Sequence, residues 1–216
     1  MTVEKNGSTA PRSRAQALAR WEQRFSVGEY LFGESPNAYL ASKALLLPKG
    51  GTALSIADGE GRNSVWLAQQ GLRVDAFDFS PTAVNKARRL AILRGVAVNF
   101  NVAEIFDWKW APRAYDLVAA IFIQFATPAE RAQLFPLIIS TLKPGGLLVL
   151  QGYRVEQIGY GTGGPADPAH LYTEALVREL LENMDLVELV SYDQIIKEGS
   201  GHSGVSALMG VVARKR

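Results

Sequence analysis

Leu54-Ser55-Ile56-Ala57-Asp58-Gly59-Glu60-Gly61-Arg62-Asn63-Ser64 is the stretch from which the fold is read. It begins inside a short apolar run, Thr52 to Ile56, and passes through two glycines into a segment of helical composition. Glycines at 59 and 61 let the main chain turn tightly and approach a ligand, and the following helix offers its free first-turn amides at the same place. An ordinary strand-to-helix turn has the same pattern, so the context decides. Asp78 closes the next apolar run 17 residues after Gly61, close to the spacing at which a carboxylate accepts ribose hydroxyls. Capping the next helix does not require Asp78, because Ser80 fills that role. Glu104 follows a third run in Val102-Ala103-Glu104-Ile105, where its carboxylate can accept from an adenine amino group. Three polar devices at the carboxyl ends of three successive strands converge on one crevice and predict an adenosine-bearing ligand.

Outward from this stretch, Pro, Ser, Thr and Gly punctuate the chain where helices begin and end. Ser35-Pro36 predicts a helix to about Leu47, and Ser80-Pro81 one with Val84, Ala87 and Ala91 on one face until Gly95. Thr127-Pro128-Ala129-Glu130 is a capping box, and Thr173 opens a helix with Leu176, Val177, Leu180 and Leu181 inward. Between them lie strand-length apolar runs: 52–56, 72–77, 96–100, 116–123 and 147–152. Continuous rather than alternating hydrophobicity indicates strands covered on both faces. Strand and helix alternate, which predicts an α/β fold with a doubly wound, mostly parallel sheet. The runs 186–196 and 205–213, joined by the glycine-rich 197–204, predict an antiparallel C-terminal hairpin.

The chain has 216 residues, 48% of them apolar and 20% charged, an ordinary globular composition. Length and pattern predict one domain over 21–216, with a helical lid over about 21–47 and a mobile leader over 1–20. No cysteine is present, which excludes disulfides, thiolate metal sites and cysteine nucleophiles, and two histidines argue against a metal centre. Residues 1–20 carry a net +3 and residues 214–216 another +3, leaving the body near −4 out of a total of +2. Basicity confined to the tails argues against a nucleic-acid partner. The first 20 residues lack a signal-like apolar core and no apolar run is long enough to span a membrane, so the expected location is cytoplasmic.

The sequence resembles the class I S-adenosylmethionine-dependent methyltransferases over roughly residues 20–214. Ala57-Asp58-Gly59-Glu60-Gly61-Arg62-Asn63-Ser64 with Trp66-Leu67-Ala68 is similar to the tellurite-resistance and thiopurine-type small-molecule branch. Val74 to Pro81, Val102-Ala103-Glu104, Tyr115-Asp116-Leu117-Val118 and Leu142-Lys143-Pro144-Gly145-Gly146 match as well. The resemblance implies a seven-stranded sheet and S-adenosyl-L-methionine as cofactor. It places Ala57, Asp58, Gly59 and Gly61 at the methionine part, Asp78 and Phe79 at the ribose, Glu104 and Ile105 at the adenine, and Ile121 at the tip of the fourth strand beside them. Ser55 stands where the family carries an acidic residue and Ala57 where it carries its first glycine, so Asp58 is expected to meet the cofactor's ammonium. The family's Asn/Asp-Pro-Pro-Tyr/Phe signature is replaced by Ile121-Phe122-Ile123-Gln124-Phe125, which disfavours methylation of base amines.

Methyl transfer from a sulfonium is an in-line displacement with an activated leaving group, needing alignment, exclusion of water and an unprotonated acceptor. No catalytic constellation is required, and none is singled out. Tyr30 and Phe32 are expected to face the sulfonium from the lid, Arg24 to share a lid face with Trp21, and Gln124, Tyr153 and Arg154 to lie beside a small soluble acceptor. His202, in the hairpin loop, could reach the site as a base, but a loop histidine is expected to be solvated, and Arg62 and Asn63 are explained by helix capping and surface charge. Two other functions share parts of the pattern. One is a nicotinamide-dependent oxidoreductase, since Gly59-x-Gly61-x-x-Ser64 is a degraded dinucleotide fingerprint; the other is a cofactor-binding regulator without turnover.

Overall fold

The computed structural model describes residues 14–216. Helix α1 (Arg14–Phe25) leads through a loop to the short α2 (Ala38–Ser42). Then follow β1 (Thr52–Ile56), α3 (Arg62–Gln69), β2 (Arg73–Asp78), α4 (Pro81–Leu93), β3 (Asn99–Val102), β4 (Tyr115–Ile121), α5 (Pro128–Thr141) and β5 (Leu142–Tyr153). The chain closes with α6 (Gln157–Tyr160), α7 (Glu174–Leu180), β6 (Met184–Glu198) and β7 (His202–Lys215). The strands form one seven-stranded sheet in the order β3-β2-β1-β4-β5-β7-β6. The five strands β1 to β5 run parallel, and β7 is antiparallel to both of its neighbours. The doubly wound sheet with an antiparallel terminal hairpin is therefore as the sequence predicts. Strand order reverses between β1 and β4, which opens a crevice outside their carboxyl ends.

Burial explains why the central strands read as unbroken apolar runs. Val118, Leu148, Leu150 and Val211 pack on one face with Leu134 and Ile138 of α5, while Leu117, Val149 and Val212 pack on the other with Leu40 and Leu67. Each such side chain contributes about 1.5–3 kcal/mol by leaving water. Three helix starts follow the local code. Ser80 Oγ accepts from the Ala83 amide, Thr127 and Glu130 form a reciprocal capping box, and Thr173 accepts from the Leu176 amide.

Three expectations are corrected. The helix expected from Ser35 begins at Ala38 instead: Asn37 caps it, accepting from the Leu40 amide through Oδ1, and it ends at Ser42, with one 3-10 turn following over Ala44–Leu46. Asn37 prevails over Ser35 because its amide also donates to Gln151 at 2.6 Å, tying the cap to the sheet. The third strand lies at Asn99–Val102, three residues later than its apolar run, because β3 is a sheet edge with an exposed face, where polar Asn99 and Asn101 are tolerated. Residues 1–13 lie outside the described residues, and with them most of the expected leader; from Arg14 onward the chain is helical, so the boundary expected at residue 20 falls within α1. Ala15, Ala17, Leu18 and Ala19 favour helix there. No helix among the described residues is long and apolar enough to cross a membrane.

Candidate active site

Backbone hydrogen bonds hold three strand tips level. The Asp58 amide donates to the Phe77 carbonyl and the Ala103 amide to the Asp78 carbonyl, both at 3.0 Å. The β1–α3 turn, Asp78 and Glu104 therefore lie side by side on β1, β2 and β3. Gly61 adopts φ +91°, and a Cβ there would stand 2.6 Å from Cβ of Ala87, so only glycine lets α3 close on α4. Ala57, in the position of the family's first glycine, has φ +48°, a left-handed conformation that carries strain in an alanine.

Asp78 is buried, and its two carboxylate oxygens each accept one backbone amide, from Gly59 and Ser80, both at 2.9 Å. Burial dominates and raises its pKa to about 6. Glu104 accepts from the Phe106 amide at 3.0 Å and faces Arg14 at 3.5 Å, both through Oε2. Asp58 departs from expectation. Its Oδ1 accepts from Ser55 Oγ at 2.6 Å and the Ser64 amide at 3.2 Å, and its Oδ2 accepts from Ser64 Oγ. This carboxylate is turned inward to brace the turn, and burial raises its pKa. It does not fit the role of partner to an ammonium.

Helix α1 lies across these tips. Glu22 accepts from Ser80 Oγ, from Thr82 Oγ1 at 2.6 Å and from the Thr82 amide. The ring of Phe25 stands 3.8 Å from where a Gly59 Cβ would be, and Trp21 stacks on Phe25. Arg24 lays its guanidinium on the Trp21 ring, 4.3 Å from the centroid, and has no acidic partner among the described residues. Lys86, buried on α4, donates to the carbonyls of Val27 and Glu29 and pairs with the buried Glu60, which in turn accepts from the Leu31 amide at 2.7 Å. Tyr30 donates to the Lys86 carbonyl and rests against the same ammonium, so it belongs to this clamp and not to a surface facing the crevice.

The other half of the crevice is built from the tips of β4 and β5 and from the terminal hairpin. Phe122, just beyond Ile121, adopts φ +56° and donates its amide to the Gln151 carbonyl at 2.7 Å. Gln124 is consumed internally: Nε2 donates to the carbonyls of Tyr153 and His170, and Oε1 accepts from the Tyr153 amide. Its expected place against an acceptor is thus corrected. Arg154 pairs with Asp193 and Glu156, away from the crevice. Tyr153 packs against Phe122 with centroids 4.8 Å apart.

His202 is not solvated. It lies between Phe32 and Phe122, 4.4 Å from each ring, with Tyr153 at 5.8 Å. Glu198 organises this region: Oε1 accepts from Asn37 Nδ2 at 3.0 Å, and Oε2 accepts from Arg62 at 2.7 Å and stands 3.6 Å from His202 Nδ1. Burial opposes its ionisation, but His202 and Arg62 together hold its pKa down to about 2. A hollow of about 300 Å³ opens beside it between residues 32–38 and 194–199, with Arg62 also in its wall.

The structure thus brings Ala57, Gly59, Gly61, Asp78 and Glu104 together, with Phe79 half-buried beside Asp78 and Ile105 buried next to Glu104. Arg24 lies against Phe32, and Tyr153 packs with Phe122 at the tips of β4 and β5. Reasoning from the sequence missed Lys86, Glu60 and Glu198, and it preferred a solvated place for His202 and a helix-start role for Arg62. Lys86–Glu60 and Arg62–Glu198 join residues far apart in sequence, so no local spacing signals them; His202 lies four residues from Glu198 across the glycine-rich hairpin, which was the available hint.

Sheet order, terminal hairpin and glycine turn define a class: the fold is that of the class I S-adenosylmethionine-dependent methyltransferases. Residues 53–146 match the family model described as a methyltransferase domain. An uncharacterised methyltransferase of Synechocystis is 29% identical over 119 residues, 55% of this chain, and the match spans about half (54%) of that relative's length. Three solved structures share the fold. The N-methyltransferase NodS of Bradyrhizobium japonicum with S-adenosyl-L-homocysteine has TM-score 0.70 at 16% identity, covering 92% of this chain and 97% of its own. TehB of Haemophilus influenzae has TM-score 0.69 at 14% identity, covering 83% and 62%. A protein from work on converting a disulfide bond into a thioacetal group in echinomycin biosynthesis has TM-score 0.72 at 19% identity, covering 92% and 93%.

Proposed function

We propose that the protein transfers the methyl group of S-adenosyl-L-methionine to a small acceptor. The observation that carries this reading is the alignment of the glycine turn, Asp78 and Glu104 on three adjacent parallel strands at the topological switch of a methyltransferase fold. Asp78 keeps lone pairs on both oxygens beyond its two amide donors and suits a ribose diol, and Glu104 Oε1 suits an adenine amino group. Arg24, on the lid, suits the carboxylate of the methionine part. When bound, the sulfonium supplies a methyl carbon already activated by positive charge. The chain's own task is to bind, align and exclude water: α1 covers the strand tips, and the packed rings of Phe32, Phe122 and Tyr153 supply an apolar wall on the acceptor's side. That NodS was solved with the demethylated product agrees with this reading.

Calorimetric titration with S-adenosylmethionine, S-adenosylhomocysteine and NAD tests it. The expected result is binding of the two sulfur nucleosides and none of NAD, weakened by about 1–3 kcal/mol in Asp78→Ala through lost charge-assisted hydrogen bonds. Binding of NAD alone would transfer the site to a nicotinamide enzyme.

A further inference from the structure

His202 is the group on the acceptor side that the fold has most plainly arranged and that alignment of the donor leaves unused. It starts β7, folds back over the β4 and β5 tips, and is enclosed by three rings from three separate elements: Phe32, Phe122 and Tyr153. One ring nitrogen, Nδ1, faces the Glu198 carboxylate at 3.6 Å. That is slightly beyond a normal hydrogen bond, as is common for catalytic pairs before a ligand tightens them. A carboxylate at Nδ1 favours the tautomer with hydrogen on that nitrogen and leaves Nε2 as an acceptor. Glu198 is itself fixed by Arg62 and Asn37, so the histidine rests on a carboxylate that cannot swing away. Phe32, Arg62 and Glu198, all neighbours of His202, line a hollow of about 300 Å³ beside residues 194–199, so open space reaches the residues that surround the histidine.

We infer that His202, held by Glu198, is the general base of the methyl transfer, and that the acceptor is a small protic nucleophile, a thiol or hydroxyl carried on an aromatic or apolar body. The inference rests on the methyltransferase reading above. His202 Nε2 takes the proton from the acceptor's S–H or O–H as the lone pair on that atom bonds to the methyl carbon, and the electrons of the breaking S–CH3 bond return to sulfur, leaving a neutral thioether. The imidazolium formed is stabilised by Glu198 and passes its proton to solvent. The three rings account for the apolar body of the acceptor, and burial, the main influence on the imidazole, lowers its pKa below the ordinary value, so it is neutral and competent as a base near pH 7. Glu198 opposes that lowering, while Arg62 from α3 and Arg24 from α1 add to it.

The test uses the full chain, labelled methyl donor, and a series of ring-substituted phenols and thiophenols whose acidities span the assay pH. S-adenosylhomocysteine binding is first measured calorimetrically on the wild type and on His202→Gln; failure of both to bind sinks the methyltransferase reading and not this one alone. With binding intact and melting temperatures matched, His202→Gln is expected to lose about 10²-fold or more in kcat on the least acidic acceptors, with KM little changed. The loss should shrink toward unity for acceptors already ionised, a trend that a merely structural role would not produce. Three outcomes overturn the proposal: kcat unchanged in the variant, an equal loss across the whole acidity series, or no acceptor methylated by a wild type that binds the product.

Discussion

Under the proposed function, Asp78 is the residue whose ionisation would govern binding of the methyl donor. Burial lifts its pKa to about 6, so the folded protein holds a proton there more tightly than the unfolded chain does. Its contribution to stability is unfavourable above that value and becomes less so as the pH falls from about 6 toward the ordinary carboxylate range. Under the proposed function ligand binding has the opposite sign, because only an ionised carboxylate would accept two ribose hydroxyls. The dissociation constant for S-adenosylhomocysteine should be flat above pH 6 and rise toward tenfold per unit below it, while Asp78→Asn should remove the slope. Gly61 makes a different prediction. Gly61→Ala places a methyl group against Ala87 in a left-handed conformation, and chemical denaturation should show a loss of about 2–4 kcal/mol. Both residues were legible in the sequence, because a glycine pair and a terminal aspartate are local signals. Asp58 was misread for an equally local reason: Ser55 and Ser64, three residues before it and six after, already satisfy its oxygens.

At the scale of elements, α1 is the part that must yield before a nucleoside enters, since Glu22 and Phe25 lie on the tips that would receive it. Its attachment is concentrated in Lys86, which gathers the carbonyls of the 25–29 turn and neutralises Glu60. Lys86→Met should cost about 3–5 kcal/mol by leaving a buried carboxylate unpaired. In hydrogen exchange, residues 25–31 should lose protection well before the sheet does, and, if α1 covers the nucleoside site as proposed, stopped-flow association of S-adenosylhomocysteine should quicken as α1 loosens. Helix starts at Ser80, Thr127 and Thr173 were readable because capping is decided within four residues. The edge strand β3 was misplaced because the rule of continuous hydrophobicity belongs to strands covered on both faces.

Across the whole molecule, Glu198 ties the loop before α2, the start of α3 and the terminal hairpin through Asn37, Arg62 and His202. Its pKa is held to about 2, below the ordinary value, so its stabilisation is fully present above about pH 4.5 and is lost as the pH falls toward 2. Glu198→Gln should lower stability at pH 7 by on the order of 2–3 kcal/mol, and urea titrations should show that the variant's stability declines less between pH 4.5 and 2. The hub is hidden in sequence because Asn37 and Arg62 stand 161 and 136 residues from Glu198 and meet it only once the sheet has closed, while His202, four residues on, is paired with it locally across the hairpin. Its position also sets a timetable for synthesis. Under the proposed function the grip on the methyl donor lies within residues 52–105 and the proposed base at residue 202, so a growing chain would gain its hold on the nucleoside well before any means of using it.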